Sequence, residues 1–316
     1  MKPVGLGVLV VLFEPTGQQL DHVAALAGSW APVVVVDNSP CPDPGTRDRL
    51  EACGAAVLDN ANQGGIGGAF NAGMRHMRQR DVSAVVLLDQ DSVLPSGFFE
   101  AITRACDNMG GADYIVAPRI FDVNAGRCIP AFTFMRTRLR TRRVDACASE
   151  TMLACNFLVS SGSTVSIAAY ERVGPFREDY VVDHVDSDYC LRACASGVSL
   201  AMTCLTTMRH SIGRATVHRL FGLPLLATNH PASRRYYFAR NAVDLTRRHA
   251  RRLPSVAVVN LLTLYQGIAV LLFEGDKRDK IVATLAGLVD GLRGRTGPVG
   301  DCRPRLASRW AAARHD

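Results

Sequence analysis

Lysine is nearly absent: only Lys2, Lys277 and Lys280 stand among the 36 basic residues of this 316-residue chain. Alanine is abundant, which points to a GC-rich coding bias, so an arginine here is weaker evidence for phosphate recognition than elsewhere. No two of the ten cysteines have C-x-x-C spacing, which removes the usual zinc and thiol-redox signatures. Cys190 and Cys194 lie four apart, but no histidine or second pair completes a metal set. The cysteines therefore read as buried thiols in a reducing compartment. The apolar run Val8–Phe13 is too short for a signal-peptide core, and Glu14-Pro15 closes it as a strand closes, so export is not expected. Internal repeats and low-complexity tracts are also missing.

What is present is globular: 48% hydrophobic and 21% charged residues, enough chain for one large domain or two small ones. The net charge of +7 is unevenly placed. Residues 208–316 hold 19 Lys+Arg against 7 Asp+Glu, whereas the first 207 hold 17 against 22. A basic C-terminal third suits phosphates or an anionic membrane surface. No nucleic-acid partner is expected.

Five apolar, β-branched runs punctuate the first 120 residues: Val8–Phe13, Val33–Val36, Ala55–Leu58, Val85–Leu88 and Tyr114–Ala117. They are continuous rather than alternating, as strands buried on both faces are. Helical patterns such as Ala69–Gln79 lie between them. This alternation predicts an α/β fold with a mostly parallel sheet, flanking helices, and ligands beyond the carboxyl ends of the strands. Residues 125–150 read as a hairpin or a mobile loop, and Asn156–Ser166 as a strand and turn. Helices are expected over Asp186–Ser196, Ala232–Arg251, Ser255–Phe273 and Lys280–Leu292. The third is long enough to span a bilayer. Its Asn260, Thr263, Gln266 and Gly267 favour a helix lying on the membrane or packed on the protein.

Acids mark the ligand edge. Asp37 follows the second run, and Asp89 follows the fourth in Asp89-Gln90-Asp91-Ser92. Two carboxylates in one post-strand turn suit a hard cation that also takes phosphate oxygens; a solvated turn is the bland alternative. The glycine-dense stretch Asn62–Gly73 is either a ligand-approach turn or a close helix–sheet packing turn. Phe70 stands where a dinucleotide fingerprint needs glycine, and no Gly-Lys-Ser/Thr makes it a phosphate loop. Asp183, Asp186 and Asp188 fall within six residues. One can act as a general base, although acids at a helix N-terminus also have a purely structural use. His210 and the run Arg234–Asn241, with Tyr236, Tyr237 and Arg240 on one side of a helix, complete the candidates.

In this order, Val36-Asp37-Asn38-Ser39, Asn62–Gly73, Leu87–Ser92, Asp183–Arg192, His210-x-x-Gly213 and Arg235-Tyr236-Tyr237-x-x-Arg240-Asn241 resemble family 2 glycosyltransferases of the GT-A fold. The bacterial rhamnosyltransferase branch is the most similar, and the resemblance runs from about residue 7 to 295. It implies an inverting enzyme that moves L-rhamnose from dTDP-L-rhamnose to an amphiphilic acceptor such as a mono-rhamnolipid, giving a di-rhamnolipid. A saccharide of O-antigen or another cell-surface polysaccharide is the alternative acceptor. A nucleotidyltransferase is disfavoured because Glu14-Pro15-Thr16-Gly17 replaces a basic Gly-rich loop, and a non-catalytic binding protein is disfavoured by the intact acids.

By the same resemblance Asp186 is the base. Phe13, Asp37, Asn38, Asn62, Gly64, Gly67, Asn71, Asp89, Gln90 and Arg240 would surround the nucleotide sugar. Asp91 and His210 would hold Mg²⁺ or Mn²⁺, with His210 and Arg240 steadying the diphosphate. Asp183, Asp188, Tyr236, Tyr237 and Asn241 would face the acceptor or support the site. Many relatives carry Glu-Asp where Val185-Asp186 stands here, a feature shared with the rhamnosyl branch. The implied layout is a GT-A catalytic domain over 1–230, with a nucleotide-sugar half to about 120, then a helical membrane-surface extension over 231–295 and a flexible basic tail over 296–316. A cytoplasmic protein on the inner-membrane surface, with a possible homo-oligomer, completes the expectation.

Overall fold

The computed structural model describes residues 5–123, 126–134, 141–146, 152–210, 216–220, 223–227, 229–270 and 273–312. The first part alternates strictly: β1 (Leu6–Leu12), α1 (Gly17–Ser29), β2 (Val33–Asp37), α2 (Pro44–Ala52), β3 (Ala56–Asp59), α3 (Gly65–Met77), β4 (Ala84–Asp89), α4 (Phe98–Asp107) and β5 (Tyr114–Asp122). All five apolar runs are strands. Short strands follow: β6 (Arg127–Cys128), β7 (Ala131–Phe134), β8 (Thr141–Val144), β9 (Leu153–Ala154) and β10 (Thr164–Ser166). Next come α5 (Ile167–Val173), α6 (Val185–Ala195), β11 (Ser199–His210), β12 (Thr216–Leu220) and β13 (Leu223–Ala227). The chain ends in helices α7 (Ala232–His249), α8 (Ser255–Val270), α9 (Lys277–Leu292), α10 (Val299–Cys302) and α11 (Pro304–Ala312).

The central sheet runs β3-β2-β1-β4-β10-β5-β11-β9, with β6 added beside β5. Strands β1 to β4 are mutually parallel, with Val10 opposite both Val35 and Leu88. The three-residue β10 inserts antiparallel between β4 and β5. Alternate residues of each central strand enter different cores, as the strand period of two requires. Val8, Val10, Val33, Val35, Val86 and Leu88 meet α1, α2 and α4 on one face. Leu9, Val11, Val34, Val36, Val85 and Leu87 meet α3, α5 and α6 on the other. Burial on both faces is what makes these strands read as unbroken apolar runs.

The Arg-rich region holds a hairpin, β7 with β8. Cys128, at the edge of β5, is disulfide-bonded. This corrects the reading of every cysteine as a thiol: pairing depends on which strands a hairpin brings together, and linear spacing does not carry that. Among the described residues no helix is long and apolar enough to cross a membrane. Where the sequence suggests a flexible tail, the chain instead forms α10 and α11. Trp310 is buried there against Tyr236, so an aromatic anchor ties down the basic segment. Helix α9 lies close on α7 through two glycines. A Cβ at Gly287 would sit 2.4 Å from Tyr236 O, and one at Gly291 2.6 Å from Arg240 O.

Candidate active site

The carboxyl ends of β1, β2 and β4 lie side by side, and each ends in a polar residue or leads straight into one. Asp37 closes β2, nearly buried, and its Oδ1 accepts from Ser39 N at 2.9 Å. Ser39 Oγ in turn accepts from Glu14 N at 2.8 Å. Asn38 donates to Asn62 Oδ1 (3.2 Å) and accepts from Asn60 Nδ2 (2.7 Å). Gln90 clamps the end of β1: its Oε1 accepts from Phe13 N at 2.7 Å and its Nε2 donates to Phe13 O at 3.1 Å. The Phe13 side chain is left exposed. A cavity of about 200 Å³ opens beside Asp89, between α1 and β4, with His22, Leu26 and Ser92 on its walls. These contacts bring Phe13, Asp37, Asn38, Asn62, Asp89 and Gln90 to one edge of the sheet.

After β4 the chain turns sharply. Asp89 N donates to Ser92 Oγ at 3.0 Å, which leaves Asp89 half-buried and Asp91 exposed. The Ser92 and Ser161 hydroxyls are 3.2 Å apart. Ser160, the preceding residue, gives its backbone N–H to the Asp186 carboxylate. Asp186 therefore sits one short bridge from the Asp89 turn. Sequence reasoning missed Ser92, Ser160 and Ser161, because nothing in the small-residue run Ser160–Ser163 distinguishes a bridge from an ordinary turn.

The three acids of the 183–188 cluster separate by environment. Asp188 is 1% exposed, with Arg192 Nε at 2.7 Å and His249 Nε2 at 3.2 Å. Burial alone would raise its pKa, but the His249 bond and the Arg192 charge outweigh it and hold the carboxyl below the ordinary range. It is structural, not acceptor-facing. Asp183 pairs with Arg234 at 3.1 Å. Asp186 has no cation partner among the described residues. Burial, helped by the Asp183 charge, pushes it up to about 6 against the opposing hydrogen bonds from Ser187 and Ser160. A half-buried carboxylate pushed up toward neutrality is what a general base needs.

The loop feeding α6 is strained. Val181, Asp183 and His184 hold φ values of +64°, +59° and +63°. Each costs about 1–3 kcal/mol for a residue other than glycine, and such outliers gather at functional sites. Within this loop His184 was also missed, hidden among acids. Its Nε2 is buried with no hydrogen-bond partner among the described residues, its ring lies 5.1 Å from Phe238, and burial lowers its pKa.

The structure reassigns several candidates. The glycine turn approaches protein backbone. A Cβ at Gly67 would lie 2.4 Å from Arg177 O, one at Gly65 2.0 Å from Val181 O, and one at Gly64 2.7 Å from Glu178 Cβ. Asn71 is wholly buried, donating to Phe176 O and Glu178 Oε1 and accepting from Tyr170 and Phe176 N. Gly64, Gly67 and Asn71 thus hold α3 to the 176–181 segment, the packing use of the glycine turn. Tyr236 donates to Asp290 at 2.9 Å and Tyr237 Oη accepts from Val299 N at 2.8 Å, so both tyrosines face the C-terminal helices. Arg240 and Asn241 are fully buried and bond backbone carbonyls, which removes Arg240 from the diphosphate. The His210 backbone pairs with Asp122 at the end of β11; its side chain lies outside the described residues.

Residues 20–162 match the sequence profile of glycosyl transferase family 2, just under half of the chain. The dTDP-rhamnosyl transferase RfbF of Shigella flexneri is 27% identical over 234 residues, which cover 74% of this chain and 77% of that protein. Among solved structures, GalNAc-T7 with UDP, GalNAc and Mn²⁺ superposes with a TM-score of 0.54 at 10% identity, over 78% of this chain and 48% of that one. This chain thus spans about half the length of that structure. TarS of S. aureus is 16% identical over 77% of this chain and 40% of its own, with a TM-score of 0.47, and adds nothing to the argument. The architecture is the GT-A fold, and the chain is a glycosyltransferase.

Proposed function

We propose that the chain transfers L-rhamnose from dTDP-L-rhamnose to an amphiphilic acceptor, a mono-rhamnolipid, with inversion at the anomeric carbon. The observation that carries the catalytic reading is Asp186, a half-buried carboxylate with no cation partner among the described residues, pushed up to about 6 and bridged by Ser160-Ser161 to the Asp89 turn. The similarity to a dTDP-rhamnosyl transferase supports the donor.

The donor lies over the sheet edge formed by Phe13, Asp37, Asn38, Asp89 and Gln90. The acceptor hydroxyl attacks the anomeric carbon from the Asp186 side, the bond to the diphosphate oxygen breaks, and Asp186 takes the hydroxyl proton. Asp89 and Asp91 offer two carboxylates in one turn, half-buried and exposed, which fit a divalent ion that takes its remaining oxygens from phosphate and water. Among the described residues no set of three ligating side chains encloses such an ion, so this turn supplies only part of its shell. When bound, the ion would offset charge on the departing diphosphate.

Membrane contact belongs to the same reading, with α9 rather than α8 as the contact element. Ile281, Val282, Leu285, Val289 and Leu292 leave an aliphatic stripe exposed on α9. Lys277 and Arg278 stand at one end of it and Arg293 and Arg295 at the other. This combination suits the cytoplasmic face of an anionic bilayer.

Mass spectrometry of the purified protein with dTDP-L-rhamnose, Mg²⁺ and mono-rhamnolipid, with and without chelator, tests the proposal. A product heavier by one deoxyhexose that disappears on chelation is expected. Release of dTDP with no glycolipid product would move the acceptor to a cell-surface saccharide. No release from dTDP-L-rhamnose at all would remove the donor assignment.

A further inference from the structure

Every backbone carbonyl from Asp179 to Asp183 has a donor outside the loop, or one next to it. Asp179 O accepts from Arg240 Nη2 at 2.9 Å and from Gly297 N at 2.7 Å. Tyr180 O accepts from Arg240 Nη2 (3.3 Å) and Asn241 Nδ2 (3.0 Å). Val181 O takes Ile66 N at 2.8 Å. Val182 O and Asp183 O both take Asn241 Nδ2, at 2.8 and 2.9 Å. Two consecutive side chains of α7 therefore serve four of the five carbonyls.

The pair is built as a unit. Arg240 Nε donates to Asn241 Oδ1 at 2.9 Å, which turns the Asn241 amide nitrogen toward the loop. Arg240 Nη1 donates to Gly297 O, tying the loop to the segment that follows α9. Both side chains have 0% exposure, and no carboxylate pairs with Arg240 among the described residues. A buried cation without a counter-ion is costly. Here its donors are spent on the Asp179 and Tyr180 carbonyls that lead into the strained turn, on Gly297 O and on the amide beside it. Nothing in this arrangement is free to touch a sugar or a diphosphate.

We propose that Arg240 and Asn241 are positioning residues: Asn241 fixes the left-handed turn at 181–184 through the Val182 and Asp183 carbonyls, Arg240 holds the Asp179 and Tyr180 carbonyls that lead into it, and together they aim Asp186, the second residue of α6, at the acceptor hydroxyl. This rests on Asp186 being the base. Three residues at positive φ just before α6 would relax to ordinary backbone once the clamp is lost. The start of α6 would then swing, and an ångström of misplacement at a reacting group costs about 100-fold in rate.

The test uses the full chain with Asn241→Ala, Asn241→Gln and Asp186→Asn, and Asn241→Ala combined with Asp186→Asn. Asn241→Ala is expected to lower kcat about 10–100-fold while the donor KM stays within about twofold. In the Asp186→Asn background it should add no further loss, because the group it aims is already gone. A rise in donor KM with kcat kept would overturn the proposal, as would a full multiplicative loss in the double variant. Amide hydrogen exchange over residues 181–188 gives a second reading, on Asn241→Gln should the alanine variant not fold. Faster exchange there, with β1 and β4 unchanged, is expected; wild-type exchange overturns the clamp. If Asp186→Asn alone keeps near-full turnover, the base assignment fails, and the exchange result alone then decides whether the clamp exists.

Discussion

Ser92 Oγ and Ser161 Oγ lie 3.2 Å apart, and that contact joins the two halves of the site. On one side Ser92 accepts from Asp89 N, shaping the turn that presents Asp89 and Asp91. On the other, Ser160 donates its N–H to Asp186. The leaving-group side and the base side therefore share one anchor, with Ser161 nearly buried between them. A neutral hydrogen bond contributes about 0.5–1.5 kcal/mol. Ser161→Ala should accordingly lower kcat about 2- to 10-fold, read by steady-state assay, with melting temperature nearly unchanged. An unaltered kcat would show that the bridge is not used in catalysis.

Asp186→Asn removes the proton acceptor and should reduce kcat by about 10²–10⁴-fold, the usual contribution of a general base. In the wild-type protein the base must be ionised to act. Because burial pushes Asp186 up to about 6 in the free protein, the acid limb of the kcat/KM profile should fall near pH 6 rather than near the ordinary carboxylate value of about 4. A limb at pH 4, or an asparagine variant with near-full turnover, would point to another residue.

Asp186 and Asp188 should move stability in opposite directions. The folded protein keeps a proton on Asp186 between about pH 4 and 6 that the unfolded chain has released. That advantage is full below about pH 4 and is lost as pH rises through 6. Asp186→Asn should therefore stabilise the fold by about 1–2 kcal/mol at pH 8 and not at all at pH 4. Asp188 is held low instead, against its burial, by His249 and Arg192. Its contribution is present above the ordinary carboxylate pKa and lost as pH falls through its own depressed value. Asp188→Asn should cost about 2–4 kcal/mol at neutral pH, since it strands the partly buried Arg192 guanidinium and removes the carboxylate that His249 Nε2 meets. Denaturant titrations at pH 4 and pH 8 check both signs. Equal behaviour of the two variants would contradict the environments described.

The strands and the acids at their ends were legible because each rests on a local pattern. Val33–Val36 and Val85–Leu88 are apolar on both faces, and Asp37 and Asp89 come next in the chain. The inserted β10 was not legible: three residues, Thr164–Ser166, are too short for any period, and their pairing is set by β4 and β5. Arg240 and Asn241 misled for a related reason. A helix reads as having a basic aromatic side, but whether that side meets solvent depends on what packs there. Gly287 and Gly291, fifty residues on, let α9 close over it. The Asp183–Asp188 cluster posed the reverse problem. One motif offered three equivalent acids, and only the partners contributed by distant α7 tell them apart: Arg234 for Asp183 and His249, joined by Arg192 of α6, for Asp188.

The glycine turn gives a direct test of that lesson. A methyl group on Gly67 would meet Arg177 O at 2.4 Å, a backbone atom that cannot swing aside. Gly67→Ala should therefore destabilise the fold by about 1–3 kcal/mol, the usual cost of overpacking, with the donor KM unchanged for the folded fraction. A raised donor KM at unchanged melting temperature would return the turn to the nucleotide.

The exposed face of α9 should hold the protein on anionic bilayers. Ala283, Gly287, Asp290 and Gly291 turn inward, whereas Leu285 and Leu292 are 57% and 67% exposed on the same helix. Five aliphatic side chains on one side of a helix exceed the scattered exposure that soluble surfaces tolerate. Burying one leucine is worth about 1.5–3 kcal/mol. Leu285→Glu with Leu292→Glu should thus reduce co-sedimentation with vesicles containing phosphatidylglycerol by about tenfold or more. The basic ends, Lys277 and Arg278 with Arg293 and Arg295, add an attraction that high salt screens. Wild-type binding should therefore weaken with salt but not vanish, because the aliphatic contribution is insensitive to screening. Transfer to a water-soluble acceptor should be the same for both proteins, since α9 carries no group of the Asp89–Asp186 site. Equal sedimentation of wild type and variant would release this face from the membrane. A shift from dimer to monomer in the variant would show instead that a second copy of the chain covers it.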